Sequence, residues 1–429
     1  MTEKLLQFIW QFQYFNSRTL LSTNDEQILV IRNGSYNTNQ GPDFLDARIR
    51  IDDTEWAGSI ELHVKASDWA LHKHSGDNNY NNVILHVVWK DDVHEVLPFP
   101  TLELEPYVPV LLLQNYESLM QSPQFIPCQQ QIASIPELIL LSWKDRLVAE
   151  RLQERSLHIR QLLDKNRQHW EEVFWWQLAR NFGIKINADA FEKIAQTIPI
   201  NILAKHKNQL IQLEAILLGQ AALLDKTFGE AYPNMLRKEY NFLQKKYQLQ
   251  KAHAPLYFLR MRPANFPTLR LAQLAMLINK SLHLFSVTRE TEDLKAVEKL
   301  LSITANDYWH YHYLLDEPTA FKKKALGRQM IHNILINTII PMLYAYGYVN
   351  AQEGLQRKAI RWLGEIVPEK NSITSGFEAL SVSNLSAADS QALIQLKNVY
   401  CNYKHCLKCA VGNWVIKSGA DLAKQPGNN

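Results

Sequence analysis

Two acidic residues and a histidine fall where extended chain could bring them around one cation. Asp43 follows Pro42 at the mouth of one apolar segment, and Glu61 and His63 lie two apart within the next. Alternate residues of a strand share a face at ~3.3 Å per residue, so Glu61 and His63 point the same way, about 6.6 Å apart. Neighbouring strands lie about 4.8 Å apart, so Asp43 and Glu61 can reach one ion if the register levels them. Carboxylates with water and phosphate oxygens suit Mg²⁺ or Mn²⁺. An ion held this way lowers the pKa of a water and offsets charge on a phosphoryl oxygen. A cationic side chain two residues after the glutamate, at the position of His63, would lie beside that water and the phosphate, and Lys65, two residues on along the same face, could take the role. The competing view is that all of these are ordinary polar residues on the exposed face of a half-buried sheet.

A second group follows within 25 residues of Glu61: His72, His74, Asp77, Tyr80 and His86. On a helix His72 and His74 would face apart, whereas in a loop they can converge. They could support the carboxylate site together with Asp77, or hold zinc themselves. His86 alternates with Ile84 and Val88, which favours a buried, hydrogen-bonded core histidine.

Near the C-terminus Cys401, Cys406 and Cys409 give a C-x4-C-x2-C spacing. With Cys128 (or His405) as fourth ligand the group could bind zinc or an iron–sulfur cluster. If Cys128 joins, the C-terminus is clamped back onto the end of the N-terminal module. The alternative is buried free cysteines on a helix. Arg260, Arg262 and Arg270 surround an Asn265-Phe266-Pro267 turn before an amphipathic segment. They are candidates for phosphate contacts to nucleic acid, or for pairing with carboxylates between helices. Lys322-Lys323-Lys324 reads as a solvated charge run.

The elements that must position these groups can be read from periodicity. A stripe of Leu5, Phe8, Ile9 and Phe12 predicts an opening helix. Apolar runs then predict strands at 28–31, 44–51, 56–64, 83–89 and 102–104, with a capped short helix from Ser67 between the third and fourth. From about residue 137 the pattern is helical, for example over 138–165, 170–182, 209–224, 329–346 and 387–404, with prolines such as Pro341 as punctuation. The last residues, 424–429, are expected to fray. Two domains result: an α/β module over 1–125 and a helical region over 126–429 that carries the cysteines.

Pro42-Asp43, then Glu61-Leu62-His63 one strand later, in a helix–three strands–helix–strand order, resembles the PD-(D/E)XK motif of restriction-endonuclease-like nucleases over roughly residues 1–105. That resemblance implies an α+β chain, a small restriction-endonuclease-like module followed by a large all-helical region, with Asp43 and Glu61 as metal ligands. His63 occupies the family's lysine position. Blocks such as Gly41-Pro42-Asp43-Phe44 and Arg262-Pro263-Ala264-Asn265-Phe266-Pro267 also resemble an uncharacterised bacterial family over essentially the whole chain.

Charge points the same way. The net +3 of the 429 residues divides into −9 over residues 1–125 and +12 over the remainder, an acidic part suited to a cation and a basic part suited to a polyanion. No stretch reaches the roughly 20 apolar residues of a bilayer span. No secretory signal is legible, so the cytoplasm is the expected compartment. The expectation is a metal-dependent hydrolase of nucleic acid, DNA or RNA. The alternative is a non-catalytic nucleic-acid-binding or scaffold protein that retains a degraded nuclease site. A metallohydrolase built on His72, His74 and Asp77 is the third option.

Overall fold

The computed structural model describes residues 1–93, 97–281 and 283–421; the expected fraying of 424–429 lies outside them. The chain is α+β and divides into two compact units. The first comprises Met1–Lys144, Ser375–Val382 and the chain from Ile394 onward. The second comprises Asp145–Thr374 with Ser383–Leu393. The cysteine-bearing segment therefore groups with the α/β module and not with the helical region to which its helical periodicity assigned it. Periodicity reports an element's buried face, not which core that face joins.

The first unit opens with helix α1 (Glu3–Gln11), capped by the Thr2 side chain on the Leu5 N–H. Leu6, Ile9 and Trp10 are fully buried, whereas Phe12 lies past the helix end, where Gln13 adopts a left-handed conformation, and is exposed. Seven strands follow: β1 (Leu20–Leu21), β2 (Gln27–Arg32), β3 (Ser35–Tyr36), β4 (Phe44–Ile51), β5 (Thr54–Lys65), β6 (Val83–Lys90) and β7 (Thr101–Glu103). The sheet order is β1-β2-β4-β5-β6-β7, with β3 beside β4. β2, β4 and β5 pair antiparallel, and β5, β6 and β7 pair parallel. The parallel step needs a crossover, supplied by residues 66–82 with the short helix α2 (Asp68–Leu71). Ser67 does not cap α2; it is helical itself, and its hydroxyl donates to Asp92.

One irregularity sets the geometry of the sheet. Phe44 pairs with Ile60 but Ala47 pairs with Gly58, so β4 carries one extra residue, and Asp46 there has φ 56°. The bulge turns Phe44 and Ala47 to the same buried side despite their odd spacing. Opposite, Gly58 lies so close to β6 that a Cβ would meet the Asn82 carbonyl oxygen at 2.4 Å. Residues 83–88 of β6 are all buried, as expected of a strand covered on both faces.

The second unit is almost entirely helical. Helix α3 (Glu137–Lys165) enters it, since the division between Lys144 and Asp145 falls inside this helix. Further on, Arg328–Ile334 continues through a π-helical turn, Leu335–Ile339, into Ile340–Val349. Pro341 therefore does not end the helix. The wider turn absorbs the carbonyl that a proline nitrogen cannot satisfy. Among the described residues no helix is long and apolar enough to cross a membrane.

Candidate metal centre

The two carboxylates interlock. The Asp43 backbone N–H donates to Glu61 Oε2 at 3.0 Å, and the Leu62 N–H donates back to Asp43 Oδ2 at 3.2 Å. Gln7 of α1 donates its side-chain amide to Asp43 Oδ1 at 2.8 Å and accepts from Tyr36 Oη. Gln7 has no counterpart in the sequence reading; its signal is a polar residue set among buried Leu6, Phe8 and Ile9.

Four imidazoles stand beside this pair. His63 Nδ1 lies 2.8 Å from His86 Nε2, and His63 Nε2 lies 3.2 Å from His72 Nδ1. Glu61 Oε1 is 3.6 Å from His63 Nε2 and 3.5 Å from His74 Nε2. One ring nitrogen each of His63, His72 and His74 falls within 4.8 Å of the others. The sheet supplies Glu61, His63 and His86, because Glu61 is level with His86 across the parallel β5–β6 pair. The crossover supplies the rest. α2 stops at Leu71, Lys73 takes φ 61°, and the chain folds back so that His74 returns toward the sheet. The His74 ring stacks on Tyr80 at 3.9 Å, and Trp69 packs edge-on against His63, His74 and His86.

The two groups read separately from the sequence are thus one centre. His72 and His74 contribute ring nitrogens to it directly instead of supporting it from behind. His86 is a fully buried core histidine, as expected, and it also bonds His63. Asp77 stays in the loop, where its carboxylate caps the turn Asn78–Tyr80 by accepting from the Asn79 N–H. Lys65 is exposed, and its ammonium acts on Asp92. Two residues of extended chain carry it beyond the centre, so His63 and not a lysine stands at this position.

Burial dominates the electrostatics. Desolvation pushes the Glu61 carboxyl up to about 8, with the neighbouring Asp43 charge adding to it. Asp43 rises to about 6, again by burial, partly offset by the Gln7 hydrogen bond. His63 falls to about 3 through burial and the adjacent imidazoles, and His86 falls to about 4. His74 is lowered as well by burial and by His72, against a smaller opposing pull from Asp77. At neutral pH His63, His74 and His86 are therefore uncharged, the form that binds metal. His74 Nε2 is buried with no hydrogen-bond partner, its nearest acidic oxygen being Glu61 Oε1 at 3.5 Å. Donors of this kind, preorganised yet underused, fit a cation. Three imidazoles with carboxylates suit manganese or a heavier first-row ion better than magnesium, which favours an all-oxygen shell. His72 is exposed and leaves one side of the centre open to solvent.

The arginines lie in the second unit. Arg260 and Arg262 are exposed. Arg270 is buried, and its fork donates to Asn265 Oδ1 at 2.6 Å and Gln273 Oε1 at 2.9 Å. It braces the turn it follows, against the expectation of a phosphate or carboxylate contact. Lys324 also leaves the expected solvated run. It is buried over the Tyr313 ring, with its ammonium donating to the His310 carbonyl.

A family model described as "Protein of unknown function (DUF2851)" matches residues 3–372. No curated protein and no solved structure matches the chain.

Proposed function

We propose that this chain, which belongs to the DUF2851 family, is a metal-dependent phosphodiesterase acting on nucleic acid. The observation that carries this reading is the convergence of Asp43, Glu61, His63, His72 and His74 on one partly open centre. Two further features support it. Taken in turn, α1, the strands β2, β4 and β5, α2 and β6 follow the helix–three strands–helix–strand order of the PD-(D/E)XK resemblance. The balance of +12 over residues 126–429, with Arg260 and Arg262 exposed, suits a polyanionic substrate.

In this reading Glu61, His63, His72 and His74 hold a divalent ion such as Mn²⁺, which when bound acidifies a water and offsets charge on the phosphoryl oxygens. His63 is a ligand and not an acid, because burial keeps it unprotonated and its Nδ1 is engaged by His86. Asp43, with its carboxyl near 6, is the group best tuned to accept a proton from the attacking water at neutral pH. Gln7 and the Leu62 N–H fix its two oxygens. The exposed His72 edge is the side from which the phosphodiester enters.

The test is cleavage of labelled single- and double-stranded DNA and RNA by the full chain with Mn²⁺ or Mg²⁺, beside Glu61→Ala and His74→Ala. Manganese-dependent cleavage lost in both variants is the expected result. Absence of cleavage on every substrate, with salt-sensitive nucleic-acid binding untouched by either substitution, would overturn it in favour of a non-catalytic binding protein.

A further inference from the structure

The four cysteines play no part in the proposed hydrolysis, yet the first unit gathers all of them. Cys401 is the last residue of a π-helical turn, Leu396–Cys401. Cys406 opens the 3₁₀ turn Cys406–Lys408, and Cys409 directly precedes the helix Ala410–Asp421. Cys128 comes from a distant turn, and its thiol feels those of Cys406 and Cys409, as that of Cys401 feels all three others. All four are free thiols; Cys128, Cys406 and Cys409 are buried and Cys401 is half-buried.

The surroundings are built for thiolates. The backbone N–H groups of Val411 and Gly412, at the start of the last helix, are directed at Cys409. Donors and a helix N-terminus favour the ionised sulfur. The helix comes so near the loop that a Cβ on Gly412 would meet the Cys406 carbonyl oxygen at 2.3 Å. Lys397 and Lys404 add positive charge beside Cys401 and Cys406, and their ammoniums fasten this segment to the carbonyls of Phe125 and Met120. Four thiolates can exist here only around compensating positive charge.

Spacing decides which charge. A zinc ion bonds each sulfur at about 2.3 Å, which brings four tetrahedral sulfurs to roughly 3.8 Å from one another. Among the described residues the one trio of ligand atoms within 4.8 Å is that of the imidazoles, so the sulfurs stand wider apart than a single zinc ion requires. An iron–sulfur cluster is a larger body that distributes its thiolates over several irons.

We infer that Cys128, Cys401, Cys406 and Cys409 hold an iron–sulfur cluster that fastens the C-terminal segment to the chain around residue 128. Assembly converts four thiols to four thiolates, releasing four protons as the cluster's irons bind. The role is structural and independent of the phosphodiesterase reading.

The full chain, purified without oxygen, is assayed for iron, acid-labile sulfide, zinc and visible absorbance. Iron and sulfide in equal amounts are expected, at least tenfold lower in Cys401→Ser and Cys409→Ser. Chelated wild type should regain the absorbance with ferrous iron and sulfide, and prior alkylation of the thiols should block this; that reconstitution decides the matter if the variants do not fold. Limited proteolysis should cut the 397–409 segment faster once the cluster is removed. Stoichiometric zinc without sulfide, or no uptake on reconstitution, would overturn the inference.

Discussion

Glu61→Gln should make the metal-free protein more stable while removing its ability to bind metal. Burial and Asp43 raise the Glu61 carboxyl from 4.5 to about 8. The folded state therefore binds this proton more tightly than the unfolded chain, and the associated stability, complete below about pH 4.5, is lost as pH rises through about 8. At pH 7 the unfolded carboxylate is some 2.5 units past its midpoint whereas the folded group is still protonated, a cost of about 3 kcal/mol at ~1.4 kcal/mol per unit. Glutamine has no such cost and can still accept the Asp43 N–H that Glu61 Oε2 accepts at 3.0 Å. For a unit of this size ~3 kcal/mol corresponds to a rise of roughly 6–12 °C in melting temperature. Melting in chelator at pH 4.5, 7 and 8 should show no gain at the lowest pH, the full gain at the highest and most of it at pH 7. A variant no more stable than wild type at pH 8 would refute the claim that this carboxyl is held against its charge.

Three other outcomes follow from the same geometry. Mn²⁺ affinity measured by calorimetry should rise between about pH 6 and 8, as the ion displaces protons from Asp43 and Glu61, and level off above that range. His63 and His86, at about 3 and 4, should not contribute to this rise. Gly58→Ala should cost ~1–3 kcal/mol in chemical denaturation and weaken metal binding, because its Cβ would push β5 from β6 at the level of Asn82. Arg260→Ala and Arg262→Ala should each lower the log–log salt slope of nucleic-acid binding by about 1. Arg270→Ala should leave that slope unchanged and cost ~1–3 kcal/mol of stability by stripping Asn265 and Gln273 of their donor.

Strand placement and the facing of Glu61 and His63 were legible because period-2 alternation determines them from local sequence. The union of the carboxylates with His72 and His74 was not, because it depends on Lys73 adopting a left-handed conformation and on the parallel register that levels Glu61 with His86. The burial of Arg270 and Lys324 was likewise hidden. Long cationic side chains read as solvent-facing, and only the packed structure reveals amides and a ring waiting for them. The grouping of the cysteines with residues near 128 spans more than 270 positions, a distance over which local pattern carries no information.

The extra residue in β4 has a consequence for how this chain can change length. Every position from Ala47 to Glu61 is counted through the two-residue turn at Asp52-Asp53, so the hairpin acts as a ruler whose slack is the bulge at Leu45-Asp46. A single deletion at Arg48, Ile49 or Arg50 would shift the ladder by one, turn Phe44 outward and carry Asp43 away from Glu61, whereas loss of Leu45 or Asp46 would remove the bulge and leave Phe44 opposite Ile60. Insertions in the loop from Asn37 to Gly41 lie outside the ruled segment and leave that count intact. Natural length variation should therefore accumulate on the Gly41 side of Asp43, or appear as loss of the bulge residue, and be absent between Ala47 and Glu61, a pattern that an alignment of homologous chains can test without a single protein being made.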